Sequence, residues 1–236
     1  MKKTILLLIA LLVMITWYPL LVITGWICHF TVTITYPLVT LLVLTAGFVA
    51  VSVYLVNAEE KTVNVVTGIL SGLLPYFSAA HLLVWTLENP GFLTFILAFT
   101  WSALAFILSL FYGKQSLLHG CLTGISLVIL VPLVFFMGLL SFVSLFPIGH
   151  TTVVQTLYSP EGTYYAELID SDQGALGGDT IVDVYTTSAK LDLFFLEISK
   201  DPQTVYFGDW GEFKNMKLEW ESEQVLLING APNPIH

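Results

Sequence analysis

The sequence predicts an integral membrane protein, with a bundle of about five transmembrane helices followed by a small all-β, antiparallel domain. Three observations predict this fold class. Of the 236 residues, 56% are hydrophobic and only 11% are charged, whereas about a quarter of the residues of a soluble domain are charged. Five apolar stretches are long enough to cross the roughly 30 Å hydrocarbon core of a bilayer. The last third of the chain is instead acidic, with short alternating segments between turns.

The predicted spans each hold roughly the 20 apolar residues that a membrane-crossing helix requires. They cover residues 5–26, 35–56, 63–87, 92–112 and 121–146. The later breaks contain charged or turn residues, but the break at 27–34 contains no Lys, Arg, Asp or Glu. A four-span arrangement, with one of the first two stretches re-entrant or removed, therefore stays open. The first stretch is longer than the apolar core of a typical signal peptide, so we expect an uncleaved helix.

The placement of the lysines predicts the orientation. With the amino terminus in the cytoplasm, Lys2, Lys3, Lys61 and Lys114 all lie inside, and no lysine lies outside before residue 150. This is the positive-inside pattern of plasma-membrane proteins. Residues 1–149 then form the membrane domain, and five spans put the acidic domain of residues 150–236 outside the cytoplasm. Four spans would put it inside.

The charge balance excludes one large class of partners. The eight basic residues are all lysines, and the net charge is −9. No basic stripe is available to neutralise phosphates, so we expect no nucleic-acid binding. The expected partners are the lipid bilayer and another membrane or envelope protein.

The acidic domain has the pattern of a β-meander, sandwich or partial barrel. Short segments recur between turns, and residues 191–199 fit either a strand or a short helix. In the segment 180–185, Ile181, Asp183 and Tyr185 alternate with Val182 and Val184, as expected for a half-buried strand. The other predicted strands are 153–159, 163–169, 204–208, 216–220 and 224–228.

Part of this domain resembles a family of uncharacterised bacterial membrane-anchored proteins with a C-terminal β-domain. The resemblance rests on the turn Ser159-Pro160-Glu161-Gly162 between tyrosines, the glycine-rich stretch 172–180, and the segment 227–230. It covers only residues 150–230. It implies a membrane-attached β-fold, and it implies no activity, because the family has none assigned.

One cluster of acids is a candidate cation site. Asp170, Asp172 and Asp179 flank the glycine-rich loop, and calcium binds clustered carboxylate oxygens on turns. The spacing does not fit an EF-hand, since Ile181 stands where the twelfth-position glutamate is required. The alternative is a polar hairpin loop whose glycines adopt positive φ. No other cofactor is indicated.

Within the spans, two types of residue are candidates for a role. The pairs Gly68/Gly72 and Gly120/Gly124 have the spacing that lets helices approach closely. His81 is a polar residue inside the third span, which by default suggests function. We favour an interfacial position for His81, because it lies near Trp85 and within two turns of the end of the span.

These features favour a non-enzymatic protein whose β-domain binds a partner at the cell envelope. Tyr206, Phe207 and Trp210 are the candidate binding residues, and the alternative for them is a place in the core. No nucleophile elbow, phosphate loop or zinc signature is present. Two other functions stay open. One is a non-catalytic subunit of a transport or assembly complex, and the other is an envelope enzyme that uses carboxylates of the acidic domain.

Overall fold

The computed structural model describes residues 2–57, 64–112, 117–146, 149–174, 177–188 and 190–235. In these ranges, five long apolar helices precede a C-terminal antiparallel β region, so the predicted fold class is confirmed. The chain divides into two compact units. A helical unit contains Met1–Thr24 and Ile34–Phe146, and a β unit contains Gly25–Thr33 and Pro147–His236. The predicted boundary at residue 150 therefore leaves one early segment of the β unit out.

The helices agree with the predicted spans to within four residues at each end. They are α1 (Lys2–Cys28), α2 (Pro37–Val56), α3 (Val65–Glu88), α4 (Phe92–Tyr112) and α5 (Leu117–Val143). Each is long and apolar enough to cross a membrane. Lys61 and Lys114, which support the predicted orientation, lie outside the described residues.

The start of α3 shows why it begins two residues after the predicted position. The Asn64 side chain accepts a hydrogen bond from the Thr67 backbone N–H (2.9 Å), and the Thr67 hydroxyl accepts one from the Asn64 backbone N–H (2.9 Å). This reciprocal capping box satisfies two backbone donors that a helix start otherwise leaves unpaired.

The segment between α1 and α2 contains a strand, β1 (Phe30–Ile34), that the sequence pattern does not predict. The helix α1 ends at Cys28, and His29 has a positive φ of 60°, a conformation that commonly terminates helices. The chain then folds back closely against Gly25. A β-carbon at Gly25 would collide with the carbonyl oxygen of Phe30 and lie 3.2 Å from Val32 Cγ2. Only glycine therefore fits at position 25, where the two segments of backbone come so close.

The β unit contains three sheets. The first has four strands in the order β2-β3-β4-β7, and its neighbouring strands are antiparallel. These strands are β2 (His150–Tyr158), β3 (Tyr164–Asp172), β4 (Gly178–Thr186) and β7 (Gln203–Asp209). The second, in the order β10-β9-β8, consists of β8 (Leu218–Ser222), β9 (Val225–Ile228) and β10 (Ala231–Pro234).

These two sheets share one apolar core. The first sheet contributes Ala166, Leu168, Val182 and Val184. The second sheet and its flanking segments contribute Met216, Leu218, Leu226, Ile228 and Ile235. The predicted alternation in β4 is thereby confirmed. The strand β10 follows the turn at Asn229-Gly230, where the sequence pattern predicts a turn or chain end.

The third sheet joins the early segment to the acidic domain. Its order is β1-β6-β5, with β5 (Lys190–Leu193) and β6 (Leu196–Lys200) forming an antiparallel hairpin. Residues 191–199, for which strand and helix both stayed open, thus form two strands and a tight turn. Two hydrogen bonds fix the early segment further. Asp201 N–H donates to the His29 carbonyl (3.1 Å), and the Thr31 hydroxyl donates to the Asp201 carboxylate (2.7 Å).

Candidate binding surface of the beta domain

An aromatic surface, formed by Phe207 and Trp210, lies at the end of the edge strand β7. The structure separates the three aromatic residues predicted to bind. Phe207 is 67% exposed and Trp210 is 55% exposed. Trp210 packs over Gly178, where a β-carbon would lie 2.6 Å from the indole Cδ1. One side of the indole thus packs against the backbone at Gly178, and the rest of its surface is exposed.

The Tyr206 side chain points to the face of the sheet opposite to that of Phe207. It packs against the sandwich core, and its hydroxyl donates a hydrogen bond to the Glu212 carboxylate. This hydrogen bond raises the pKa of Tyr206 above its ordinary value. Tyr206 therefore lies at the core, which was the alternative to a binding role for this residue.

Phe207 ends an apolar row that crosses the whole four-stranded sheet. The strand registers pair Phe207 with Ile181, Ile181 with Ile169, and Ile169 with Val153. Directly paired residues project from the same face of a sheet. The outer face therefore has a continuous apolar stripe, whose two ends, Val153 and Phe207, are exposed.

An acidic pair lies beside this stripe on the same face. Glu167 is directly opposite Asp183, and the next pair along the strands is Tyr165 with Tyr185, whose rings stack 4.9 Å apart. Burial and the charge of Asp183 raise the pKa of Glu167. Burial and then the same acids raise the pKa of Tyr185 to about 12. The Thr204 hydroxyl donates to Asp183 at 2.6 Å.

The three aspartates of the candidate cation site do not converge. Asp170 and Asp172 share one face of β3, whereas Asp179 pairs with Ser171 and lies on the other face. Asp172 accepts a hydrogen bond from Gly174 N–H (2.7 Å), and Asp179 accepts one from the Gln173 side chain (2.7 Å). Within the described ranges, no group of three or more histidine, cysteine, aspartate or glutamate side chains is arranged to hold a metal ion.

The glycine-rich loop has the geometry of a polar hairpin loop. Gly174 and Gly177 have φ values of 64° and 99°, which glycine adopts at no steric cost. Gln173 N–H donates to the Gly177 carbonyl (2.8 Å), and Gly177 N–H donates to the Gly174 carbonyl (3.1 Å). Ala175 and Leu176, at the tip of the loop, lie outside the described residues.

The Ser-Pro-Glu-Gly turn, on which the family resemblance partly rests, is held by a distant carboxylate. Glu223, from the turn between β8 and β9, accepts hydrogen bonds from the Ser159 hydroxyl (2.6 Å), Glu161 N–H (2.8 Å) and Thr163 N–H (3.0 Å). Burial alone raises the pKa of Glu223, but these hydrogen bonds outweigh it and lower the pKa. The turn thus depends on a residue more than 60 positions away.

A cavity of about 260 Å³ lies where the early segment joins the acidic domain. Its wall includes His29, Tyr164, Thr186, Lys200 and Gln203. The cavity lining thus includes hydrogen-bond donors and acceptors and one lysine side chain. Sequence reasoning misses this cavity because β1 brings His29 to residues about 170 positions later, and no local pattern signals that pairing.

In the helical unit, the His81 side chain is completely buried, and its position near the membrane interface stays a prediction. Its ring stacks on Trp101 with 4.3 Å between ring centroids, and Nδ1 lies 3.3 Å from the Ile15 carbonyl oxygen. Its Nε2 atom is buried, and none of the residues that the structure describes forms a hydrogen bond with it. The packing depends on Trp101 in the following helix, which the spacing along α3 cannot reveal.

The predicted helix-packing glycines divide into two groups. Gly68 and Gly72 are buried, and a β-carbon at Gly72 would lie 3.5 Å from His119 Nδ1 of α5. Gly120 and Gly124 have open space where a β-carbon would stand. The first pair therefore lies in a contact within the chain, and the second pair lies on an open face of α5.

Comparison with known proteins finds no matching family, no similar curated protein and no similar solved structure.

Proposed function

We propose that this chain is a multi-pass membrane protein whose β-domain binds another envelope or membrane protein through Phe207 and Trp210. The observation that carries the proposal is the exposure of Phe207 on an edge strand, and of Trp210 directly after it, in an otherwise acidic domain. Large aromatics are the side chains that most often dominate protein interfaces. An edge strand also offers unpaired backbone groups to an incoming strand.

The surroundings of this surface indicate the chemistry of the partner. Phe207, the exposed end of the apolar stripe, offers a contact for apolar side chains. Asp209 stands beside Phe207 on the same strand, and residues 150–236 hold fourteen acids against four lysines. The complementary surface is therefore an extended, apolar segment flanked by lysine or arginine, since complementary charge speeds and orients association.

The pairing of β1 with β6 supports a position of the domain outside the cytoplasm. Strands that pair lie on one side of a membrane, so the acidic domain lies on the same side as the segment between α1 and α2. The four helices α2 to α5 connect the two, and four crossings return the chain to its starting side. This relation holds whether α1 is retained or removed, and the lysines in the opposite loops favour the cytoplasm for those loops.

The topology is tested with reporters fused after the last residue. A reporter active only outside the cytoplasm should give a signal there, and its cytoplasmic counterpart should give none. A second pair inserted at Asn89, between α3 and α4, should give the same result, because the proposed topology puts both positions outside. Opposite signals at the two positions would overturn the five-span arrangement.

Binding is tested by photocrosslinking in intact cells. A photoreactive amino acid replaces Phe207 or Trp210 in the full chain, and the matched control carries it at the exposed residue Glu221 of β8. We expect one and the same protein adduct from positions 207 and 210 and none from 221. The purified partner should then bind the native chain and lose affinity for the Phe207→Ser, Trp210→Ser variant. Equal adducts at all three positions would contradict the proposal.

A further inference from the structure

The hairpin β5–β6 has an apolar tip with exposed side chains. Phe194 and Phe195, which form the turn, are 94% and 44% exposed. Leu191 and Leu193 in β5 are also exposed. Water-exposed apolar side chains packed this densely mark a contact site.

The two faces of the hairpin differ in polarity. The register pairs Leu191 with Ile198 and Leu193 with Leu196, so these four side chains share one face. The other face carries the pair Asp192 and Glu197, and a salt bridge of 2.9 Å between Lys190 and Glu197. The hairpin is therefore amphipathic, with one apolar and one charged surface.

Chain connectivity keeps this sheet close to the bilayer. A single residue, His29, separates α1 from β1, and Thr35 and Tyr36 separate β1 from α2. At 3.8 Å between consecutive Cα atoms, the ends of β1 lie within about 8 and 11 Å of the ends of two membrane-spanning helices. Both ends of this five-residue strand are thus joined to membrane-spanning helices by one and two residues.

The hairpin is aligned with that strand. Neighbouring strands are roughly 5 Å apart, so β6 and β5 lie within about 10 Å of β1 in the sheet. The interfacial layer on each side of a bilayer is about 5–8 Å thick. Aromatic side chains concentrate in this layer, and Trp26, Phe30 and Tyr36 around β1 are exposed as well.

We propose that the tip Leu193-Phe194-Phe195 inserts into the lipid surface and anchors the β-domain to the bilayer. The occupant is the boundary between headgroups and acyl chains, which the turn and the exposed side chains of β5 would enter, while Leu196 stays buried. Because the β unit is acidic, insertion is driven by apolar contact and does not require anionic lipid. The inference is independent of the partner proposed for Phe207 and Trp210.

The test uses the full chain in phosphatidylcholine vesicles, with Cys28 and Cys121 replaced by serine. A polarity-sensitive fluorophore is attached to a single cysteine at position 194. The controls carry it at Glu221 and at Phe207, and Phe207 is an exposed aromatic position in the same unit. Nitroxide-labelled lipids serve as the quencher. We expect blue-shifted emission and loss of intensity at 194, and neither effect at the two controls.

Two outcomes would overturn the proposal. One is emission at 194 like that in water, without quenching. The other is blue-shifted emission that the lipid quencher does not reduce, which would indicate a protein contact in place of lipid. A label-free variant supports the assignment: Phe194→Glu removes no buried contact, and it should increase hydrogen exchange in residues 190–200 in vesicles while leaving exchange in β8 and β9 unchanged.

Discussion

The two units differ in how many polar side chains they bury. In the helical unit, the completely buried residues include Trp85, Trp101, Tyr18, Tyr112 and His81, together with several serines, while large apolar side chains such as Phe135 (75% exposed) cover the outside. In the described part of the β unit, the core is apolar, and the buried polar residues are Ser159 and Thr180. The helical unit thus buries an apolar cluster that includes Leu8 and Phe48 together with many polar side chains, whereas the described part of the β unit buries few polar ones.

The difference shows which force holds each unit together. Lipid is as apolar as leucine, so helices in a membrane gain little from burying leucine and associate through close packing and hydrogen bonds. The hydrogen bond from Trp101 Nε1 to the Thr45 hydroxyl (2.7 Å) and the one from the Tyr112 hydroxyl to the Leu55 carbonyl (2.6 Å) are of this kind. In water, apolar burial is the dominant favourable contribution.

The largest effect should come from truncating the apolar core of the β unit. Leu226 is completely buried between the two sheets. Leu226→Ala should lower the free energy of unfolding by about 2–5 kcal/mol, measured by chemical denaturation of the purified chain in micelles. Val153→Ala, at a half-exposed position of β2, is the control and should change it by less than about 1 kcal/mol. Similar losses in both variants would contradict the proposed core.

A smaller effect is expected for a polar contact in the helical unit. Trp101→Phe removes the hydrogen bond to Thr45 and keeps an aromatic ring against His81. Hydrogen bonds between membrane helices contribute about 0.6 kcal/mol on average and up to about 1.7. A double-mutant cycle with Thr45→Val, measured by unfolding in mixed micelles, should give a coupling in this range. A coupling of zero would mean that the contact adds no stability.

This contrast also explains what could be predicted from the sequence. Apolar length alone gives the five helices, and turn residues with alternation give most of the strands. The faces of β7 could not be predicted, because a register shift opposite Val182 and Asp183 makes Val205 an extra residue. The shift turns Tyr206 to the core and Phe207 outward, against simple alternation from Thr204. The strand β1 depends on pairing with β6, which no local pattern records.

The Ser159–Gly162 turn should become less stable in acid. The carboxylate of Glu223 accepts three hydrogen bonds there, and its pKa in the fold lies below its ordinary value. Its stabilisation is therefore present above the ordinary pKa and is lost as the pH falls through the lowered value. Glu223→Gln should increase hydrogen exchange in residues 159–164 at neutral pH, after correction for intrinsic rates.

The control for that prediction is Glu221→Gln, which changes an exposed acid two residues away. It should leave exchange in the turn unchanged. At a pH below the lowered pKa of Glu223, the native chain and Glu223→Gln should exchange alike. A difference between the two chains that persists at low pH would show that the variant disturbs the turn by some route other than charge.

The smallest effect on stability should come from the acidic pair of Glu167 and Asp183. Its pH dependence is opposite to that of Glu223. The pKa of Glu167 is raised by burial and by Asp183 across the strand, so the folded chain holds its proton more tightly than the unfolded chain does. That contribution to stability is present below the ordinary pKa and is lost as the pH rises through the raised value. Glu167→Gln should therefore stabilise the β unit at neutral pH by roughly a few tenths of a kcal/mol, since opposed like charges that are partly solvated interact weakly. The gain should vanish in acid, whereas a loss of stability at neutral pH would mean that Glu167 makes a favourable contact in the folded domain.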